Sequence, residues 1–107
     1  MMVRFEDFSK LELKVGKILE VRDHPNADKL YLLKVDIGEK IIQLVAGLKP
    51  WYTHKDLEGK LIVVVANLEP KELRGFLSQG MLLAAQSKEK VVLISPQEEI
   101  APGSVIR

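Results

Sequence analysis

The sequence predicts an all-β protein built on a small five-stranded barrel, and three observations lead to that prediction. Apolar and polar residues alternate in several short stretches with the two-residue period of a half-buried strand. Turn-forming residues separate these stretches, and no helical pattern is long enough to connect parallel strands. The length of 107 residues, with 47% apolar and 29% charged residues, is that of one globular domain spanning residues 1–107.

The first strand has an interrupted alternation. Apolar residues at odd positions from Leu11 to Val15 share one face, and the same phase resumes at Leu19. Gly16 and an apolar residue at an even position lie between the two parts. A glycine and a break in the pattern within a long strand predict a bulge, which a strand needs when it serves two sides of a small barrel.

The remaining elements follow in the order of an OB fold. Four further strands are predicted at residues 30–37, 41–46, 61–66 and 81–85, and a shorter apolar strand at 91–94. A helix of one or two turns is predicted between Thr53 and Gly59, and a helical turn at 3–9. In an OB fold the ligand lies beside the loops that follow the first and fourth strands, which here are residues 23–29 and 67–80.

Composition and motifs argue against an enzyme. There is no cysteine, which excludes disulfides and thiolate chemistry and fits a reducing, cytoplasmic setting. His24 and Asp28 have a spacing that suits a metal on a helix, but Pro25 disfavours a helix there and no third ligand follows. Ser78 has neither a nucleophile elbow nor a histidine partner, and no glycine motif for a nucleotide cofactor occurs. We therefore expect no catalysis, no metal and no cofactor.

The loop at residues 67–80 is the most distinctive stretch, because a connection of that length in a small domain is usually functional. Ser78 and Met81 at its far end are expected to present a hydroxyl and a thioether side by side. The longest apolar run is only residues 61–66, far short of the ~20 residues that span a bilayer, and no secretory leader opens the chain. These features predict a binding protein with no membrane partner.

Charge and aromatic residues leave two interpretations open. The net charge is only +1, so a nucleic-acid site has to come from local clustering. Lysines and an arginine fall near the two loops, but interleaved acidic residues make an ordinary solvated surface an equal alternative. The aromatic residues Tyr31, Trp51 and Phe76 can stack on bases, whereas packing in the core or at its rim is the alternative role for Tyr31 and Trp51.

Four stretches together resemble a known family. They are LKVGKI at 13–18, HPNADKLY at 24–31, VANLEP at 65–70, and LRG at 73–75 with SQGMLLAA at 78–85. The set is similar to the tRNA-binding domain shared by the C-terminal region of methionyl-tRNA synthetases, stand-alone structure-specific tRNA-binding proteins and the endothelial-monocyte-activating cytokine domain. The chain looks like the version in which the domain is its own polypeptide.

The resemblance implies an OB fold whose N- and C-terminal additions form a homodimer. It implies that this dimer binds the outer corner of tRNA by shape, so that two modest basic patches act together. The residues that the resemblance carries over as tRNA-binding are Ser78, Met81, Lys71, Arg74, Lys29, Asn26 and Asn67. For the last three, bracing of the loops is an equally good interpretation.

The function implied is a non-catalytic, structure-specific tRNA-binding module, free or acting as a subunit of methionyl-tRNA synthetase that recruits tRNA. A first alternative is a dimeric OB-fold chaperone that binds peptides in an apolar groove. A second alternative is a sequence-tolerant binder of single-stranded nucleic acid. The motifs at residues 26–29 and 78–81 favour the tRNA-binding interpretation over the chaperone.

Overall fold

An antiparallel sheet that coils into a nearly closed barrel forms the body of the protein, and the computed structural model describes all residues from 1 to 107. The elements in chain order are α1 (Phe5–Phe8), β1 (Leu13–Asp23), β2 (Tyr31–Asp36), β3 (Ile41–Ala46), α2 (His54–Leu57), β4 (Leu61–Val65), β5 (Lys71–Leu73), β6 (Phe76–Ser78), β7 (Met81–Leu82), β8 (Ala84–Ser87), β9 (Lys90–Leu93) and β10 (Val105–Ile106). The predicted all-β fold with only short helices is confirmed. No helix has the length and apolar character needed to cross a bilayer.

Strand β1 holds the barrel together, because its two halves pair with different partners. Its first half pairs with β4 and its second half with β2, in the sheet order β3-β2-β1-β4-β7, while β10 adds to its beginning. The register shifts between Ile18 and Glu20, which confirms the predicted bulge. The extra residue changes the phase, so that Ile18 is fully buried and Leu19 is 44% exposed. The prediction that Leu19 shares the inward face was therefore wrong.

Gly16 lies where β1 passes between the two halves of the barrel. A Cβ atom at this position would lie 2.6 Å from Cγ1 of Val35 and 2.9 Å from Cγ2 of Val64. The missing side chain therefore lets β2 and β4 approach each other across β1, which a barrel this narrow requires.

The core fills the inside of the barrel with aliphatic side chains. Its fully buried large residues are Ile18, Leu33, Val35, Ile37, Leu44, Leu57, Ile62 and Val64.

Leu57 comes from α2, which begins with a capping box. Thr53 Oγ1 accepts from Asp56 N, and Asp56 Oδ2 accepts from Thr53 N at 2.9 Å. These hydrogen bonds hold the pKa of Asp56 below its usual value. The predicted short helix is thus confirmed, and it carries one apolar side chain into the core.

The strand predicted at residues 81–85 is wrong as a single element. β7 pairs with β4 for two residues, and β8 then leaves the barrel to form a hairpin with β9. Leu83 lies at the transfer: its N–H donates to Val63 of β4, and its carbonyl accepts from Ile94 beyond β9. The apolar run is continuous because it pairs with two partners in succession.

Candidate nucleic-acid interface

The long connection after β4 folds back as a hairpin. β5 and β6 pair from Lys71↔Ser78 to Leu73↔Phe76, so the connection predicted as a loop at residues 67–80 contains a short two-stranded sheet. Its two-residue turn, Arg74 and Gly75, has φ angles of 54° and 92°. Positive φ at both turn positions matches the twist of a two-residue hairpin, although arginine is an unfavourable residue there. We call residues Lys71–Ser78 the flap hairpin.

The base of the flap hairpin closes the barrel. Ser78 Oγ accepts from Val45 N at 3.0 Å, and Gln79 exchanges hydrogen bonds of 2.8 Å with the backbone of Gln43. These groups stand where a neighbouring strand would pair with the free edge of β3. Ser78 is only 6% exposed and also donates to the Gly80 carbonyl. The hydroxyl that was expected to be exposed beside Met81 is therefore buried, because it hydrogen-bonds to backbone groups where the sheet closes.

The tip of the flap hairpin is held by residues 24–30, which we call the anchor loop. His24 is 5% exposed, and its Nε2 donates to the carbonyl of Leu73 at 3.0 Å. Its Nδ1 accepts from Asn26 N at 3.0 Å, which requires the neutral ring with its proton on Nε2. The ring meets Phe76 edge to face at 4.9 Å, and the Asn26 amide donates to the carbonyl of Arg74. Both ring nitrogens of His24 are thus used within the chain.

Sequence reasoning missed this role of His24. The histidine and its partner Leu73 are 49 residues apart, and only the folded chain brings them together. A local signal was present in the turn-forming residues that follow His24, but it says nothing about the partner. Elsewhere the structure has no group of three or more histidine, aspartate or glutamate side chains arranged to hold a metal ion.

A cavity of about 560 Å³ lies between the flap hairpin and the barrel wall. Its lining residues are Val45, Leu68, Glu69, Lys71, Leu73, Ser78, Gly80 and Met81. The structure therefore brings Ser78, Met81 and Lys71 of the sequence prediction to one cavity. Met81 is 50% exposed and is the candidate whose side chain is open to a partner at the cavity mouth.

Three basic side chains on the flap hairpin and the anchor loop are free. Lys29, Lys71 and Arg74 are exposed and form no ion pair, whereas Lys34 and Lys49 pair with Glu20 and Asp23. The acidic neighbour Glu72 alternates with Lys71 along β5, so the two side chains leave opposite faces of the strand. Glu72 consequently does not line the cavity that Lys71 lines. The tertiary structure thus separates Glu72 from Lys71, whereas Glu69 lines the same cavity as Lys71.

The structure places Asn67 apart from this group. Its Oδ1 accepts from Glu12 N at 2.8 Å, and its Nδ2 donates to the Lys10 carbonyl at 2.7 Å. Asn67 therefore fastens the N-terminal segment to the end of β4 and does not line the cavity. Asn26 has a comparable bracing contact, but at the flap hairpin itself.

A closed antiparallel barrel, with a basic hairpin after its fourth barrel strand and an anchor loop after its first, defines an OB-fold binding domain. The model of the tRNA binding domain family matches residues 13–105, and the chain belongs to this family.

Relatives of known kind agree with this assignment. The methionine–tRNA ligase of Pyrococcus abyssi is 58% identical over 107 residues, which are 100% of this chain and 15% of that relative. The chain thus spans only a small part of the ligases that it matches. Among solved structures, a MetRS-related protein from Pyrococcus horikoshii has a TM-score of 0.93 at 33% identity, covering 100% of this chain and 99% of that one. The chaperone CsaA of Bacillus anthracis str. Ames also has a TM-score of 0.93 at 33% identity, covering 100% of both chains.

Proposed function

We propose that the protein is a non-catalytic, structure-specific tRNA-binding module that binds the outer corner of folded tRNA and works in the cytoplasm. The observation that carries this proposal is the set of unpaired cations, Lys29, Lys71 and Arg74, on two loops that His24 ties together. Cations held at fixed positions match the spacing of phosphates on a folded RNA without reading its sequence.

Within this site the predicted residues divide into two roles. Lys71, Arg74 and Lys29 neutralise phosphates, and the exposed thioether of Met81 contacts the sugar or base surface at the cavity mouth. The role of the other candidates is to position these groups: Ser78 holds the base of the flap hairpin, Asn26 its tip and Asn67 the neighbouring strand end.

A homodimer is part of the proposal. The N-terminal segment and β10 expose large apolar side chains that do not pack in the barrel core. Among them are Phe5 at 79% and Val105 at 71% exposure. Exposed apolar side chains of this size are the kind that a protein interface buries. Pairing two copies through these side chains would place two basic patches on one tRNA, and this raises the affinity of a chain whose net charge is only +1.

The same module acts either alone or with methionyl-tRNA synthetase. All of this chain is 58% identical to a 107-residue part of a methionine–tRNA ligase, which supports a role in supplying tRNA to that enzyme. In that role the domain raises the local concentration of tRNA and takes no part in the chemistry.

A peptide-binding chaperone is the second candidate function. The cavity beneath the flap hairpin has apolar walls from Val45, Leu68, Leu73 and Met81, and the fold is very similar to that of a protein named as a chaperone. A cavity of this composition can hold an apolar side chain of an unfolded polypeptide.

Competition binding separates the candidates. Labelled folded tRNA should be displaced by unlabelled tRNA, but neither by an unstructured oligonucleotide of equal length nor by reduced, carboxymethylated α-lactalbumin. Stronger displacement by the polypeptide would favour the chaperone, and equal displacement by the oligonucleotide would favour a single-strand binder.

The salt dependence tests the phosphate contacts. The double substitution Lys71→Gln/Arg74→Gln should lower the slope of log affinity against log salt by about 2 per protomer. The matched control Lys17→Gln/Lys40→Gln removes two exposed, unpaired lysines elsewhere on the barrel and should leave the slope unchanged. Equal slopes for the two double variants would remove the flap hairpin from the RNA contact.

A further inference from the structure

A second concave surface lies on the other side of the anchor loop. It encloses about 450 Å³ and is lined by Asp23, Tyr31, Lys49, Pro50, Trp51, Tyr52, Thr53 and His54. The strands that end here are the same ones that carry the anchor loop, since Asp23 pairs with Tyr31 and Tyr31 with Ala46 at the last rungs of their ladders. The anchor loop therefore borders the flap hairpin on one side and this surface on the other.

Trp51 forms an exposed but rigid wall of the surface. Its Nε1–H donates to the carbonyl of Glu89 at 2.7 Å, so its one polar group is satisfied within the chain. The residue nevertheless remains 40% exposed. Because its N–H is already hydrogen-bonded, the exposed part of the indole is apolar. Its fixed orientation allows a flat, apolar partner to stack on it.

Two basic side chains beside Trp51 share one carboxylate. Lys49 Nζ lies 3.3 Å and His54 Nε2 lies 2.9 Å from the same Oδ1 atom of Asp23. Hydrogen bonding from His54, and then from Lys49, holds the pKa of Asp23 below its usual value, so this carboxylate is charged at neutral pH. The Lys49 ammonium has three N–H donors and uses one of them on Asp23, so it can also donate to an oxyanion.

The framework holds these groups in place. The Tyr31 ring meets His54 edge to face at 5.1 Å, and its hydroxyl donates to the carbonyl of Tyr52 at 2.7 Å. Tyr31 is 3% exposed, so it supports the surface from below and offers no face to a ligand. The surface thus combines one open aromatic face with the ammonium group of Lys49 at its edge. This is the chemistry that recognises a nucleotide, in which a flat base adjoins a phosphate.

We propose that Trp51 stacks on an unpaired base of the bound tRNA and that Lys49 contacts the phosphate of the same nucleotide, while His54 and Asp23 position the lysine. This inference rests on the proposed function and extends the RNA contact from the flap hairpin across the anchor loop. An acidic peptide would also pair with Lys49, but it would leave the aromatic face uncovered.

Fluorescence tests the inference directly, because Trp51 is the single tryptophan of the chain. Saturating folded tRNA should quench its emission and lower the acrylamide quenching constant at least about twofold, since a stacked base excludes the quencher. N-acetyltryptophanamide in the same tRNA solutions corrects for absorption by the RNA. Filter binding on the same samples reports whether tRNA is bound. Bound tRNA with unchanged quenching of Trp51 would overturn this inference alone, whereas no bound tRNA would overturn the proposed function as well.

Substitutions supply the second arm. Trp51→Ala should weaken tRNA binding about tenfold, and Trp51→Phe, which keeps an aromatic face, should restore most of that loss. Lys49→Gln should weaken binding, while its control Lys55→Gln, on α2 next to His54 but outside the lining, should not. Equal affinities for Trp51→Ala and Trp51→Phe, or protection of Trp51 by carboxymethylated α-lactalbumin in place of tRNA, would contradict stacking on a base.

Discussion

The base and the tip of the flap hairpin use their polar side chains in opposite ways. At the base, Ser78 and Gln79 make hydrogen bonds to β3 and complete the barrel. At the tip, Arg74 has no ionic partner and adopts an unfavourable positive φ, and Lys71, which lies opposite Ser78 on β5, is also unpaired. This short hairpin thus stabilises the fold through Ser78 and Gln79 and keeps the charges of β5 and of the tip available.

This difference explains why the SQGM motif is ambiguous when read alone. Its serine and glutamine hydrogen-bond to the backbone of β3. Its methionine, only three residues after the serine, is half exposed at the cavity mouth. A structural role and a binding role therefore occupy adjacent positions. Substitutions at the base should change stability first, and substitutions at the tip should change binding first.

The largest effect on stability is expected at the base. Ser78→Ala leaves the Val45 N–H without its acceptor in a part-buried position, which should lower the free energy of unfolding by about 1–3 kcal/mol. Thermal denaturation followed by circular dichroism measures this change. Ser87→Ala is the matched control, because Ser87 is exposed and its hydroxyl makes no hydrogen bond. If both variants melted at the same temperature, the hydroxyl of Ser78 would not be needed to close the barrel.

An intermediate effect of opposite sign is expected at the tip. Arg74→Asn places a residue that tolerates positive φ in the turn and should raise the free energy of unfolding by roughly 1 kcal/mol. The same variant should weaken tRNA binding, because a free cation is lost. Arg74→Lys keeps both the charge and the backbone strain and should change neither quantity much. A stabilised Arg74→Asn variant that binds tRNA as well as the parent would show that the tip does not contact RNA.

The smallest effect on stability is expected at Met81. Because its side chain is 50% exposed, Met81→Ala should lower the free energy of unfolding by less than about 1 kcal/mol. Binding of tRNA should nevertheless weaken about threefold through loss of the thioether contact. Met81→Leu restores an apolar side chain of similar volume, so a loss of affinity in both variants would assign the contact to the sulfur itself. Unchanged affinity in both variants would exclude Met81 from the interface.

Local pattern predicted most of the elements but not the way they pair. The strands at residues 41–46 and 61–65, the capped helix after Thr53 and the bulge after Gly16 each follow from signals within a few residues. The phase at Leu19 was wrong, because the bulge between Ile18 and Glu20 turns Leu19 outward, although Val21 two residues later is buried. The prediction of one strand at residues 81–85 was wrong because the chain changes its pairing partner at Leu83. An apolar run does not indicate which strands it pairs with.

The candidate site divides in the same way. The sequence alone placed Lys71, Arg74 and Lys29 on two loops, and it contained the four stretches that resemble the tRNA-binding family. Only the folded chain showed that Glu72 leaves the opposite face from Lys71 and that His24 joins the two loops through Leu73. Which cations are free depends on distances between residues that lie far apart in sequence.

The sequence by itself therefore determined the class of fold, the order of its elements and the family to which the chain belongs. Those properties depend on periodicity, turn chemistry and motifs, all of which are local. The tertiary structure alone decided which polar side chains make hydrogen bonds within the chain and which stay free to bind a partner. That division is non-local, because a buried hydroxyl such as Ser78 must satisfy whichever backbone group the closing barrel brings to it.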